Sequence, residues 1–406
     1  MSKTDATPTH GRASFTPAVR RMLFADFFLS LSGPISSIFI SAFVWRTTGS
    51  FFNAVANAAG GYIALPVGFY LNGLILKRIS VRTAYTVGSL LTGLSVACAS
   101  FFGYGGPAAW FLYGCLWGIA NALYWANRNY LELQETVDSH RKRYFSIVMT
   151  VGYMCNVVIP PLAGWILVLC PRLGGSTQVA YWAVFGLSFF FMTAGALVIA
   201  SGGYKTVRPT RLCPPYQGRV TARRRLLTIC QGLTDGINFL SPLIVLYLFK
   251  NEGILGTVTA CVTLFAALAM YAYGHLTHHS HTRGLLVTAC AGFLVCAAFL
   301  AFQMPPFGAG VYIVFAAVCS DFYMLSVAPW MLRLSEEEIG GNEKLRYAFI
   351  CDNELFLNIG RLCSVFLIGG IMCVSTEHAG LFYGPVFVSL LQVTLSGIFL
   401  SRFGAA

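Results

Sequence analysis

Six ionisable residues lie inside stretches of sequence that are otherwise apolar enough to cross a lipid bilayer. A charge at bilayer depth costs about 2.5–3.5 kcal/mol, so such residues persist where they face protein or water. A buried carboxylate can bind and release a proton, and an arginine can anchor a polar solute. The sequence therefore predicts a polar interior suited to solute binding or proton transfer. The six residues are Asp26, Asp235, Asp321, Asp352, Glu354 and Arg361.

The composition of the chain is that of a membrane protein. Of its 406 residues, 56% are hydrophobic and only 10% are charged, which leaves too little polar surface for a water-soluble domain. Several runs approach the length of about 20 residues that an α-helix needs to span a bilayer. We predict an all-α membrane protein with twelve transmembrane helices. The runs are 22–45, 51–76, 83–103, 107–127, 144–170, 178–201, 226–249, 253–274, 284–303, 308–332, 345–373 and 381–402.

Lysine and arginine are distributed unevenly between alternate loops. The loops on one side, together with the N-terminal segment, carry most of them, whereas the opposite loops carry only Arg46, Arg172 and Lys250. Positive residues are retained on the cytoplasmic side, so we predict an inner-membrane protein with both termini in the cytoplasm. This asymmetry, and attraction to anionic membrane lipids, explain the formal net charge of +12 without nucleic-acid binding.

The chain divides into two similar halves. A segment rich in proline and basic residues, 202–225, predicts a cytoplasmic linker between them. Asn156 aligns with Asn358, and Arg143 with Arg346, at offsets of 202 and 203 residues in equivalent places of the two halves. Internal repeats of this kind are common in secondary transporters. The predicted segments are a tail 1–21, a six-helix bundle 22–201, the linker 202–225 and a second six-helix bundle 226–402.

The loop between the second and third apolar runs carries a recognisable motif. The motif is a glycine, three residues, an acid, a base, any residue, a second glycine, any residue and two bases. Gly73, Arg78 and Arg82 match it, while Lys77 stands at the acidic position and Ser80 at the second glycine. In this loop, its twelve runs and its two halves, the chain resembles the major facilitator superfamily. The resemblance implies two pseudo-symmetric six-helix bundles and a gating role for the loop.

The same resemblance implies that spans one, four, seven and ten line a central cavity. Asp26 lies on span one, and Asn121 and Arg128 lie on span four. Asp26 and Arg128 are also near span ends, where snorkelling to the interface is the alternative interpretation. For Trp125 the alternative is an interfacial anchor. The predicted solute-cavity residues are Asp26, Asn121, Trp125, Arg128, Asn358 and Arg361.

Span eleven has a polar face of its own. Glu354, Asn358 and Arg361 are spaced i, i+4 and i+7, so they share one side of a helix. A substrate or proton site and a structural ion network are both consistent with this spacing. Proton coupling requires a buried carboxylate that solvent reaches from alternate sides. The candidates are, in order, Asp321 and Asp235, which lie on spans ten and seven, and then Glu354; sodium coupling is the alternative.

These features predict a monomeric secondary active transporter that moves a small organic solute by alternating access. The excess of embedded acids favours a neutral or cationic amphipathic solute and proton coupling. Pro160, Pro161 and Gly164 in the fifth run resemble a motif of exporters in the superfamily, which slightly favours export. The alternatives are a transport-inactive membrane sensor or receptor and a lipid flippase. No nucleophile motif or metal-ligand set occurs in a loop, so we expect no enzyme activity, no cofactor and no metal.

Overall fold

A computed structural model describes residues 15–103, 105–136, 138–205, 208–276, 282–302, 306–340, 342 and 345–403. Within these ranges the chain folds into twelve long helices joined by short connections, and no strand occurs. The helices are α1 (Pro17–Thr48), α2 (Phe51–Ile75), α3 (Val81–Phe102), α4 (Pro107–Glu135), α5 (Asp138–Arg172), α6 (Thr177–Ala200), α7 (Arg219–Phe249), α8 (Glu252–Leu276), α9 (Thr282–Phe302), α10 (Phe307–Ile339), α11 (Arg346–Val374) and α12 (Glu377–Phe403).

The helices have the length and composition of membrane spans. Eleven of those described are long and apolar enough to cross a bilayer. The other is α4, whose apolar character is diluted by three asparagines and by Arg128 and Glu132. Because α4 packs along α2 and α3, it crosses the bilayer alongside these two helices. The chain is a multi-pass membrane protein, and the prediction of twelve helices in two bundles is confirmed.

The helices form two bundles with matching contacts. In the first bundle α1 contacts α5 and α6, and in the second α7 contacts α11 and α12. Between the bundles, α2 packs against α11 and α5 packs against α8. If each helix of one half is exchanged with its counterpart in the other half, the pair α2–α11 becomes the pair α8–α5. A pseudo-two-fold axis between the two bundles produces this relationship.

The seam between α5 and α8 is close-packed through glycines. A Cβ added at Gly164 would collide with the backbone of Glu252, and one added at Gly256 would collide with the backbone of Pro160. Glycine at both positions therefore allows the two backbones to approach each other. This seam lies toward the end of the molecule at which α5 ends and α8 begins.

Several helices extend beyond the apolar runs of the sequence. α7 begins at Arg219, so the last residues of the segment 202–225 are helical. α4 continues to Glu135 and α10 to Ile339. All three extensions lie at the end of the molecule where α1 begins and α12 ends, which we call the basic end. The other end, where α1 meets α2, is called the opposite end.

Candidate solute cavity

A cavity of about 690 Å³ lies between the two bundles. Its walls differ in chemistry, because the first bundle contributes hydroxyl groups and aromatic rings whereas the second contributes the charged side chains. The charged residues are Asp235, Glu354 and Arg361. The hydroxyl-bearing and aromatic residues include Ser30, Ser32, Ser36, Ser37, Tyr62, Trp117 and Trp125.

An irregular turn in α1 presents two of these serines. The α-helix gives way to a π-helical turn, Ile35–Phe39, directly after Pro34. Proline cannot donate a backbone hydrogen bond, and π-turns within α-helices are frequent at functional sites. Ser36 and Ser37 lie in this turn and line the cavity.

Arg361 is the centre of a polar network on the cavity wall. Its Nε and Nη2 atoms contact Asp235 Oδ2 at 2.8 and 2.6 Å, so the guanidinium pairs α11 with α7. Its Nη1 atom lies 3.5 Å from Glu354 Oε1. The Tyr62 ring from the first bundle lies 5.5 Å from the guanidinium carbon, within cation–π range. Arg361 therefore contacts both bundles at mid-helix depth.

Asn358 completes the network from behind the cavity wall. Its Nδ2 atom donates to Glu354 Oε1 at 2.8 Å, and its Oδ1 atom lies 3.4 Å from Arg361 Nη1. Asn358 is only 1% exposed and does not line the cavity, so its predicted position there is corrected. The prediction that these three residues share a polar face is confirmed, with Asn358 bridging the two charges.

The charged side chains remain accessible from the cavity. Asp235 is 33% exposed, Arg361 20% and Glu354 14%. Two carboxylates around one guanidinium leave this wall with an excess negative charge when all three groups are ionised. The wall can thus bind a solute that carries hydrogen-bond donors or a cationic group.

Asp321 lies in a neighbouring chamber of about 300 Å³, bounded by α5, α7, α8 and α10. It does not line the central cavity. Its Oδ2 atom accepts a hydrogen bond from Tyr153 Oη at 3.2 Å, and none of the ion pairs described includes it. Beside it, Asn238 Nδ2 donates to Ser320 Oγ at 2.7 Å.

Asn156 and Asn238 connect the chambers. Both line the central cavity, the Asp321 chamber and a third chamber of about 360 Å³. Asn156 belongs to the first bundle and Asn238 to the second. In the sequence, Asn156 is evident only as part of the repeat, and Asn238 was not predicted at the site. A carboxamide in the middle of an apolar helix was the signal for both.

Several residues of α4 line the cavity. Asn121 and Trp125 line the cavity, and so does Trp117. Asn121 Nδ2 and Trp117 Nε1 have no hydrogen-bond partner among the described residues. A buried polar atom without a partner is costly, so these donors are suited to a polar group of a bound solute.

Asp26 and Arg128 are placed differently from the prediction. They do not line the cavity but form a buried ion cluster toward the basic end of the first bundle. Arg128 contacts Asp26 Oδ1 at 2.8 Å and Glu132 Oε2 at 2.9 Å. Tyr144 Oη donates to Asp26 Oδ2. The cluster joins α1, α4 and α5, which is a structural role. Asp26 and Arg128 therefore occupy neither the predicted position in the cavity nor the alternative position at the membrane interface.

The second bundle contains a corresponding cluster with the charges exchanged. Arg224 of α7 is fully buried and contacts Glu338 of α10 at 2.8 Å and Asp352 of α11 at 2.6 Å. Arg225 binds the other oxygen of Asp352 at 2.7 Å. Helices α7, α10 and α11 occupy the places that α1, α4 and α5 have in the first bundle. Each bundle is thus held together by ion pairs near its basic end.

The predicted gating loop packs against the second bundle through Gly73. A Cβ added there would lie 2.7 Å from Tyr347 Cε1 of α11 and would also collide with Leu212. Arg82 Nη1 donates to Gly202 O at 3.0 Å, and Arg78 is exposed.

A neutral contact joins α2 and α11 close to the loop in which Lys77 stands at the acidic position of the motif. Tyr347 Oη donates to Phe69 O at 2.8 Å and accepts from Asn72 Nδ2 at 2.9 Å. Asn72 also exchanges hydrogen bonds with Asn127 of α4. The contact between α2 and α11 at the basic end therefore does not need a carboxylate at Lys77.

Two glutamates of the second bundle contact the first bundle at the opposite end. Glu252 of α8 binds Arg46 of α1 at 2.6 Å and accepts from Tyr181 Oη of α6 at 3.1 Å. Glu377 of α12 accepts from the Phe51 amide of α2 at 2.7 Å. The bundles therefore contact each other through polar groups at both ends of the cavity.

Among the described residues, histidine, cysteine and carboxylate side chains form no group of three or more that could hold a metal ion.

Comparison with solved structures identifies the fold. Two structures of the nucleoside transporter NupG align with 96% of this chain and 100% of their own length. One, a variant with a single aspartate replaced by alanine, has a TM-score of 0.65 and 13% sequence identity, and the other has 0.62 and 12%. The chain has the major facilitator fold. At this identity the similarity establishes the fold alone.

Sequence comparison adds one curated relative. The chain is 23% identical over 380 residues to the uncharacterized protein YqgE of Bacillus subtilis (strain 168), covering 90% of this chain and 84% of that protein. No family model matches.

In this chain, the network around Arg361 lies at the interface between the two bundles of the major facilitator fold.

Proposed function

We propose that the protein is a secondary active transporter that carries a small polar solute through the central cavity. The observation that carries the proposal is the cavity itself, which lies between two membrane-spanning bundles and is lined by charges from one and hydroxyl groups from the other. A site shared by two bundles can be exposed to alternate sides when the bundles rock against each other. We further propose the orientation that the basic loops indicate, with the basic end in the cytoplasm.

The contacts at the two ends of the cavity support alternating access. Tyr347 ties α11 to α2 at the basic end, and Glu252 and Glu377 tie the second bundle to the first at the opposite end. Each tie consists of a few hydrogen bonds or one ion pair, so its rupture costs a few kcal/mol at most. Solute or proton binding can supply a free energy of this size.

The proton site in this proposal is Asp321. Its carboxylate is half-buried near the middle of α10 and is not among the paired acids of the described residues, unlike Asp235 and Glu354, which share Arg361. Arg361 supplies a counter-charge to Asp235 and Glu354, whereas none of the described ion pairs supplies one to Asp321. Asp321 therefore ranks first as the coupling residue and the two paired acids serve the solute. Sodium remains the alternative ion.

The cavity favours a neutral or cationic solute with a ring and several hydrogen-bonding groups. Trp117, Trp125 and Tyr62 offer aromatic faces, and such faces bind planar rings or cations. The serines and asparagines supply both donors and acceptors. Nucleosides, which NupG is named for transporting, have this combination and are our first candidate substrates. Amphipathic organic cations are the second.

Uptake into proteoliposomes tests the proposal. The purified protein would be reconstituted with a pH gradient and supplied with radiolabelled uridine or with a labelled aromatic amine. We expect saturable flux of at least one probe, stimulated by the gradient, and a reversed gradient would show whether export is favoured. A protein that binds these probes without moving them would instead be a receptor on this fold. Movement of fluorescent phospholipids between leaflets, without solute flux, would identify a flippase.

A further inference from the structure

The hydrogen bond between Tyr153 and Asp321 joins the two bundles. Tyr153 lies on α5 of the first bundle, Asp321 lies on α10 of the second, and the distance from Oη to Oδ2 is 3.2 Å. Both residues are near the middle of their helices, away from the polar ties at either end. This bond is thus a direct connection between the bundles at the depth of the cavity.

The bond is sensitive to the protonation of Asp321. An ionised carboxylate only accepts hydrogen bonds, and a phenol donates to it more strongly than to a neutral acid. Once Asp321 is protonated, the charge that attracts the Tyr153 hydroxyl is gone and the contact between α5 and α10 weakens. Protonation therefore changes a force that acts between the bundles.

The same residues lie next to the path toward the central cavity. Tyr153 and Asn156 are three residues apart on α5, so they share one side of that helix. Ser320, which precedes Asp321, accepts a hydrogen bond from Asn238. Because Asn156 and Asn238 line both chambers, a displacement of α5 relative to α10 reaches the wall where the solute would bind.

We propose that Tyr153 is the positioning residue that transmits the protonation of Asp321 to the first bundle. The proposal rests on the proposed function for its role in transport, but the bond itself exists without a solute. In the ionised state of Asp321 the bond holds α5 against α10, and protonation releases it. The helix pair then moves apart more easily, which couples proton binding to reorientation of the bundles.

Other titratable groups near this bond do not offer an equivalent route. The side chains that line the Asp321 chamber come from α5, α7, α8 and α10, and Tyr153 and Asp321 are the titratable ones among those described. The next charges lie on the wall of the central cavity, where Asp235 and Glu354 are held by Arg361. Cys319 on α10 faces Gly292 of α9, away from α5.

Distance measurements in the solute-free protein test this inference. Spin labels would be placed at Leu173 and Val374, which are 86% and 87% exposed and lie at the opposite end of different bundles. The distribution of distances between them would be recorded by double electron–electron resonance in nanodiscs, from about pH 5 to pH 8. The measurement would compare the parent protein with Tyr153→Phe, Asp321→Asn and Tyr113→Phe. The last is the matched control, because Tyr113 Oη donates to Ser95 O within the first bundle.

We expect the distance distribution of the parent and of Tyr113→Phe to change with pH. Tyr153→Phe and Asp321→Asn should lose that change. At high pH, the ratio of the short-distance to the long-distance population in these variants should differ from that of the parent by roughly tenfold, because one hydrogen bond to a charged group is lost. Size-exclusion profiles would show that the variants remain folded. A pH response of Tyr153→Phe equal to that of the parent, or a parent without any pH response, would overturn the inference. Because no solute is used, these results are separate from the failure of transport.

Discussion

Glu377 of the second bundle caps the first turn of α2 in the first bundle. The Phe51 amide donates to Glu377 Oε2 at 2.7 Å, and Ser50 Oγ donates to Oε1. Ser50 is the N-cap residue of α2, but its side chain makes no capping hydrogen bond. The Glu377 carboxylate, from the other bundle, therefore accepts the hydrogen bond of the first backbone amide of the helix. A helix end that is capped by the other bundle loses its cap whenever the opposite end opens.

Removing this carboxylate should therefore open the cavity toward the opposite end. In Glu377→Ala, a cysteine introduced at Ser37 in the cavity wall should react with an impermeant maleimide added on that side roughly tenfold faster, because hydrogen bonds to a charged group are lost. Glu337→Ala is the control, since Glu337 is exposed on α10. Equal labelling rates in Glu377→Ala and the control would show that Glu377 does not hold the seam closed.

The network around Arg361 predicts non-additive effects on stability. Arg361→Met leaves Asp235 and Glu354 without their cation, and we expect a loss of about 2 kcal/mol, reduced from that of a fully buried pair because these groups are partly exposed. Arg361→Met combined with Asp235→Asn should be more stable than Arg361→Met alone. Thermal unfolding in detergent would measure this, and strictly additive losses would mean that the two charges act independently.

Two adjacent arginines allow a matched test of the ion cluster in the second bundle. Arg224 is fully buried between Glu338 and Asp352, whereas the Arg225 side chain is 26% exposed. Arg224→Met should lower the free energy of unfolding by about 3–5 kcal/mol, because the buried Glu338 loses the cation that it pairs with and Asp352 keeps only Arg225. Arg225→Met should cost much less. Chemical unfolding in detergent would compare them, and similar losses would contradict the assigned burial.

The sequence was sufficient for the features that depend on one helix at a time. Apolar runs gave the number of spans, and the i, i+4, i+7 spacing of Glu354, Asn358 and Arg361 placed them on one face. Contacts between helices were not predictable, because they depend on how each helix is rotated. Asp26 pairs with Arg128 and Asp235 with Arg361 across more than a hundred residues, and neither pair has a local signature.

The same limit explains why some residues of the site were not predicted from the sequence and why others lie elsewhere than predicted. Tyr347 joins the bundles at the basic end with a neutral hydrogen bond, whereas the loop motif pointed to the charge at Lys77. In the sequence, Asn238 is one polar residue within an apolar run. Only the fold shows that it lies where three chambers meet. Asp321 lies beside the central cavity because α5, α7, α8 and α10 together enclose a separate chamber.

The proposed function predicts that the movement of solute through this protein is coupled to the movement of protons. The most direct measurement records both fluxes in one set of proteoliposomes, with labelled uridine or aromatic amine as the solute and an internal pH-sensitive dye for protons. We predict that adding solute to parent vesicles starts a proton flux in a fixed ratio to solute flux. In Asp321→Asn vesicles, solute exchange at equal pH should persist while the coupled proton flux disappears. Proton flux in Asp321→Asn equal to that of the parent, or solute flux without proton movement in the parent, would contradict the account.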